Sequence, residues 1–404
     1  MSFNEVVETY PFPRDSRCPM RPSGEYARRR DEEPLNRLGL GRDRDPWLVT
    51  RYRDAVSVLG DAGRFSSNPA ADGFPRRGGN TDLLVGRFLF TQDPPKHTRL
   101  RGVLTEEFSV SRVNGYREMV TRVVAQTLDE FVSGKSSGDF VSEVAFRIPG
   151  HVMFEVLGMP HQDRGRFLDW ITQCLGPVGS VPTDQASAAA RAYQAYVDDF
   201  LAYRERTPSD DVIGRLVRNA LEPGLVTREE LLDLIQALIT GGFDTTAHTM
   251  AMGTFALLTN PDQLALLRND PSLAGNAVEE ILRTTAVTHT GRRRVATEDV
   301  LIGDQEISAG DGVIVSQDAV NRDDAVFAEP DVFDITRKGA RRHMTFGFGI
   351  HLCLGSPLAR MELQEVFGTL FAKIPTLELA VPEADVEVVA DATILGLESL
   401  QVRW

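Results

Sequence analysis

Cysteine is scarce in this chain: 3 in 404 residues, at Cys18, Cys174 and Cys353, odd in number and far apart. That excludes a disulfide framework, and no pair stands at zinc-ligand spacing, so a reducing compartment fits. Positive charge is short as well. The formal net charge of −14 disfavours non-specific nucleic-acid binding and attraction to anionic membranes, although local basic patches remain open. No apolar run reaches membrane-spanning length. Met1 to Met20, carrying Glu5, Glu8, Arg14, Asp15 and Arg17, holds no signal-type apolar core, so a cytoplasmic protein is expected. No Pro/Gly/Ser-rich linker, repeat or low-complexity stretch divides the sequence. Residues 1–404 are therefore read as a single large domain, and 42% hydrophobic content is enough for a large core.

Helical patterns dominate what is present. Trp47 to Tyr52 reads as a strand running into a short helix at Asp54 to Leu59, and Asn68 to Asn80, rich in Gly, Pro and Arg, as a long irregular loop. Tyr193, Tyr196, Val197, Phe200 and Leu201 form the stripe of an amphipathic helix between Asp184 and Arg206, a stripe best explained by packing. Thr227-Arg228-Glu229-Glu230 is a capping box. The apolar run it opens continues to Asn260-Pro261, a helix of about 45 Å at 1.5 Å per residue, long enough to cross a domain. A helix around Ala277 to Thr284 and short strands at Val300 to Ile302 and Val313 to Val315 follow, so the fold is mainly α with small β-sheets.

Four segments carry chemistry. In Phe346-Gly347-Phe348-Gly349-Ile350-His351-Leu352-Cys353-Leu354-Gly355 one cysteine stands among glycines, where backbone without Cβ can turn tightly and approach a flat partner. Pro357, Leu358, Val366, Phe367 and Leu370 then read as a helix whose N-terminal dipole would favour an ionised sulfur. In Thr240-Gly241-Gly242-Phe243-Asp244-Thr245-Thr246 two glycines weaken the long helix just before an acid and an alcohol, and Thr245 can bond back to the Gly241 carbonyl, which would open a groove. His248, one turn beyond Asp244, is assigned no function. In Asp93-Pro94-Pro95-Lys96-His97-Thr98-Arg99-Leu100-Arg101, Asp93 is a candidate N-cap, and His97 and Arg101 share a helix face that suits a carboxylate. Glu280 and Arg283 stand at i and i+3, able to pair.

The pattern Phe-Gly-x-Gly-x-His-x-Cys-x-Gly resembles the haem-binding signature of the cytochromes P-450, and the other segments follow in that family's order from Trp47 to Trp404. The resemblance implies the P-450 fold, with the long central helix lying over haem b and Cys353 as axial ligand of the iron. A thiolate ligand favours O–O cleavage over oxygen carriage. By the same resemblance Phe346, Gly347, His351, Gly355 and Gly241 border the haem, and His97, Arg101 and Arg294 grip its propionates, with a register shift among Arg292, Arg293 and Arg294 left open. Asp244 and Thr245 are the catalytic proton-delivery pair, whereas Glu280, Arg283 and Arg337 are scaffold.

By the same resemblance the substrate pocket should draw on the stretches 74–90, 286–291 and 393–395 and on Leu238 and Thr240 to Gly241 of the long helix. Phe88, Leu238, Thr240, Val287 and Ile394 would line it, and Arg87, Thr288 and His289 would orient a polar group.

With no anchor-length segment, the chain is most similar to soluble actinobacterial members that hydroxylate secondary metabolites or foreign compounds. The expected activity is monooxygenation of a small organic molecule by a monomer. With no Gly-x-Gly-x-x-Gly or ferredoxin cysteine spacing here, electrons would come from a separate ferredoxin and ferredoxin reductase, docking on Lys338, Arg341, Arg342 and Arg360. Epoxidation, oxidative coupling or peroxide-driven oxidation at the same site remain alternatives, as does a haem-thiolate sensor without turnover.

Overall fold

The structure is a computed structural model and describes residues 8–14, 21–41, 44–76, 88–175, 180–389 and 392–404. It is mainly helical with small sheets, organised around the helix Arg228–Leu258. Thr227 caps that helix: its side chain accepts from the Glu230 amide while the Glu230 carboxylate accepts from the Thr227 amide. From Thr249 to Leu257 every residue is buried, as expected of a helix apolar on all sides. Gly253 admits the close approach of Ile281 and Phe367, because a Cβ there would lie 2.7 Å and 2.8 Å from them. Thr249 and Thr254 satisfy their hydroxyls on carbonyls one turn back, so these polar side chains cost little inside the core.

Other expected elements form with small boundary shifts. The strand at Trp47–Val49 leads to the helix Tyr52–Gly60, the tyrosine stripe lies on the helix Thr183–Arg206, and Ala274–Thr284 and Ser356–Lys373 are helical. A five-stranded sheet orders Leu35–Arg37, Trp47–Val49, Gly312–Val315, Arg292–Ala296 and Phe65–Ser66 from one edge to the other. Its single parallel pair joins Trp47–Val49 to Gly312–Val315. Asn68 to Arg76 carries no regular element, and residues 77–80 of the expected loop lie outside the described residues. Among the described residues no helix is long and apolar enough to cross a membrane.

Two local expectations change. Asp93 does not cap with its side chain: that carboxylate accepts from the Ser66 hydroxyl and from the Ser67 amide at 2.8 Å, tying the sheet edge to the helix Lys96–Thr105. Only its backbone carbonyl serves the helix, accepting from His97. The central helix also runs unbroken through Gly241 and Gly242, because flanking apolar packing outweighs their weak propensity.

Candidate active site

The Cys353 loop is held by its own backbone. Gly347 and Gly349 adopt left-handed φ values of 80° and 70°, and the Cys353 amide closes the loop on the Phe346 carbonyl at 2.8 Å. Gly349 is required twice, since a Cβ there would also lie 2.4 Å from the Leu59 carbonyl oxygen. Gly355 differs from expectation. Its φ is −78°, which any residue adopts, and a Cβ on it would meet nothing within 4 Å. Gly241 on the central helix likewise looks onto open space and is exposed, although its helix is largely buried. Cys353 is itself accessible although it lies deep in the molecule, and Phe348, Ile350 and Leu352 beside it are exposed apolar side chains. A bare sulfur with apolar neighbours and two Cβ-free openings fits a flat apolar group.

Cations crowd the edge of this site. The His97 and His351 rings stand 4.3 Å apart, and Arg101 donates to the Leu352 carbonyl at 2.8 Å, which holds it beside Cys353. Burial pushes His351 down to about 3, helped by Arg294, His97, Arg101 and Arg292, and burial lowers His97 as well. Arg294 is pushed down to about 10 by burial and by Arg292. Among the described residues no carboxylate pairs with Arg101, Arg292 or Arg294, and the buried Nδ1 atoms of His97 and His351 and the Nε of Arg292 have no partner. These partnerless buried nitrogens, beside three arginines, fit an anionic ligand edge such as two propionates.

Arg292, one of the three arginines whose register the sequence left open, lies at the site beside Arg294. Strand alternation puts Arg292 and Arg294 on one face and Arg293 on the other, so the open register resolves into two arginines facing the site. Arg292 acts on Cys353 and donates to the Thr345 carbonyl at 3.0 Å, whereas Arg293 acts on Tyr10. Ser67 was missed by sequence reasoning; its hydroxyl lies 3.0 Å from His351 Nε2.

The helix dipole expected to favour an ionised sulfur is opposed by burial. Burial pushes the Cys353 thiol up, against the downward pull of Arg292, the Gly355 amide, Arg101 and Arg360, and a metal bound there would favour the thiolate. Arg360 is also not a free surface cation. It donates to Glu279 at 2.7 Å and stacks over Phe346 at 4.5 Å, while Lys338, Arg341 and Arg342 are exposed.

On the central helix Thr245 donates to the Gly241 carbonyl at 2.9 Å. Burial raises the Asp244 carboxyl, partly offset by His248, whose Nε2 lies 3.5 Å from it. Of the pocket candidates, Phe88 and Val287 are buried core residues, and Leu238 and Ile394 are partly buried. The Thr240 hydroxyl lies 3.3 Å from that of Tyr193. His289 holds Ala392 through a contact of 3.2 Å between Nε2 and the carbonyl, so its ring staples two loops. Arg87 lies outside the described residues.

Away from the site, Glu280 accepts from Arg283 at 2.7 Å and 2.8 Å and from Arg337 at 3.1 Å and 3.2 Å, wholly buried.

Known proteins resemble this arrangement throughout. Residues 184–383 match the family model for cytochrome P450. Cytochrome P450-SU2 from Streptomyces griseolus is 39% identical, covering 98% of this chain and 97% of the relative. A vitamin D3 dihydroxylase from the same organism is 37% identical, with 99% and 98% covered. The solved structure of a mycinamicin VIII C21 methyl hydroxylase from Micromonospora griseorubida superposes with a TM-score of 0.89 at 31% identity, covering 99% of this chain and 100% of that one. With a cysteine loop, cationic edge and acid–alcohol helix in one molecule, and relatives that span its length, the chain belongs to the cytochrome P450 family of haem-iron monooxygenases.

Proposed function

We propose that the chain is a cytoplasmic b-type haem monooxygenase that hydroxylates a small organic molecule, a secondary metabolite or foreign compound, with one oxygen atom from dioxygen. The observation that carries this reading is the bare Cys353 sulfur beside cations that lack carboxylate partners. Phe346, Gly347, Gly355 and Gly241 would border the haem, Cys353 would ligate its iron, and Arg101, Arg292, Arg294, His97 and His351 would hold its propionates. When bound, the haem supplies oxygen activation, with electron density donated by the thiolate.

The chain's own residues then handle the proton. Burial raises the Asp244 carboxyl and so favours its protonated form, and Thr245 Oγ1, fixed on the Gly241 carbonyl, is next to it on the helix. Phe88, Leu238, Thr240, Val287, Ile394 and the His289 staple would shape the pocket. Relatives named for vitamin D3, pentalenic acid and mycinamicin VIII show how widely the substrates of similar chains differ. Lys338, Arg341 and Arg342 would receive an acidic ferredoxin reduced by its reductase.

Isotope labelling tests the reading. With a substrate found by haem spectral shift, labelled dioxygen should place one labelled oxygen atom in the product, and labelled water none; a product labelled from water would overturn it.

A further inference from the structure

His248 stands alone with Asp244. Its Nε2 lies 3.5 Å from the Asp244 carboxylate one helical turn back, and both side chains are largely shielded, with 13% and 16% of their surface accessible. The imidazole cannot turn away easily. Phe146 meets it edge-on at 5.0 Å with the rings at 90°, and Gly396 lies so close that a Cβ there would fall 1.9 Å from His248 Nδ1. Among the described residues that buried Nδ1 has no partner. Phe146 and Gly396 bring no charge, and among the described residues His248 is the only charged group that acts on Asp244, and Asp244 the only one on His248.

We propose that Asp244 and His248 form one acid–base pair that stores a single proton for Thr245, with His248 the positioning residue that holds the carboxyl. An isolated buried pair of this kind titrates in two macroscopic steps. Between them it holds one proton and no net charge, as protonated acid with neutral imidazole or as an ion pair. Burial raises Asp244 and lowers His248, which brings the protonated acid with neutral imidazole closer in free energy to the ion pair. When the Thr245 hydroxyl releases its own proton toward the pocket it takes one from the pair in exchange, so the pair passes to a net charge of −1 until a proton from solvent restores it. Two ways of holding the proton, rather than one, move its final loss to higher pH.

Gly396 ties this reservoir to the pocket. It belongs to the strand Gly396–Leu397, directly after Ile394 and Leu395, and the Leu395 amide donates to the Val287 carbonyl at 2.8 Å. A ligand that shifts Ile394 would therefore press on the imidazole.

The inference rests on the monooxygenase reading, and its test separates the two. In carbon monoxide-bound ferrous holoprotein, the 7 histidines are followed by NMR against pH, with His248→Gln used to assign the His248 signal. Asp244→Asn removes the anionic partner and should lower the His248 titration by about one unit or more. An unmoved titration overturns the pair whether or not the enzyme turns over. For His248→Gln, whose amide can still hold the carboxyl but stores no proton, the alkaline limb of product formed per electron pair should move to lower pH. A profile superimposable on that of the parent overturns the proton-storing role. Absence of the thiolate carbon monoxide spectrum overturns the monooxygenase reading instead.

Discussion

Replacing Glu280 with alanine should unfold the protein rather than disable it. The carboxylate accepts 5 hydrogen bonds: 2 from Arg283, 2 from Arg337 and 1 from the Asp334 amide. Arg283 has no accessible surface, so water cannot take the place of the lost oxygens. Breaking a buried ion pair by removing one partner costs about 3–5 kcal/mol. Here two guanidiniums lose the same anion, and their remaining partners are backbone carbonyls of the segment from Asn321 to Val332. The loss should thus reach the upper end of that range, about 5 kcal/mol, against a total stability of about 5–15 kcal/mol. Urea unfolding of the holoprotein, followed by far-ultraviolet circular dichroism and haem absorbance, measures it. The expected result is insoluble protein or a greatly lowered midpoint with haem released. A soluble variant with the parent midpoint and full haem content, lacking only turnover, would refute the scaffold assignment.

Other expectations follow from single contacts. Thr245→Ala should bind haem and substrate normally while consuming electrons with little product, as shown by the ratio of product to reductant oxidised; unchanged coupling would remove Thr245 from proton delivery. Gly349→Ala combines a strained left-handed residue with a clash at the Leu59 carbonyl, so it should cost at least about 1–3 kcal/mol in denaturant unfolding. Burial pushes Glu279 up, but bonds from His343 and Arg360 pull it further down, from 4.5 to about 2. A depressed carboxyl stabilises the fold above its ordinary value and loses that contribution as pH falls. The stability gap between the parent and Glu279→Gln should accordingly be widest above pH 4.5 and close toward pH 2. Thr227→Ala removes the cap of the central helix and should cost about 1 kcal/mol.

Much of this architecture was legible in local pattern. The capping box and apolar run of the central helix needed only spacing, and the Cys353 loop announced itself through glycines, two of which do take left-handed backbone. What escaped the sequence depended on three-dimensional partners. Arg360 reads as a surface cation until folding brings Glu279 and Phe346 to it. Asp93 reads as a cap because the Ser66 and Ser67 groups that claim its carboxylate come from a distant strand end. The upward push of burial on the Cys353 thiol comes from packing, which no helix dipole on paper reveals. Arg292 was within reach, since period-two alternation pairs it with Arg294 once the strand is recognised.

The central claim is that Cys353 presents a thiolate to haem iron, and the carbon monoxide difference spectrum of the reduced holoprotein tests it most directly. The parent should give the band diagnostic of thiolate ligation, and Cys353→Ser should lose it. Freshly prepared native protein that binds haem without the thiolate band, or a Cys353→Ser variant that keeps it, would contradict the account.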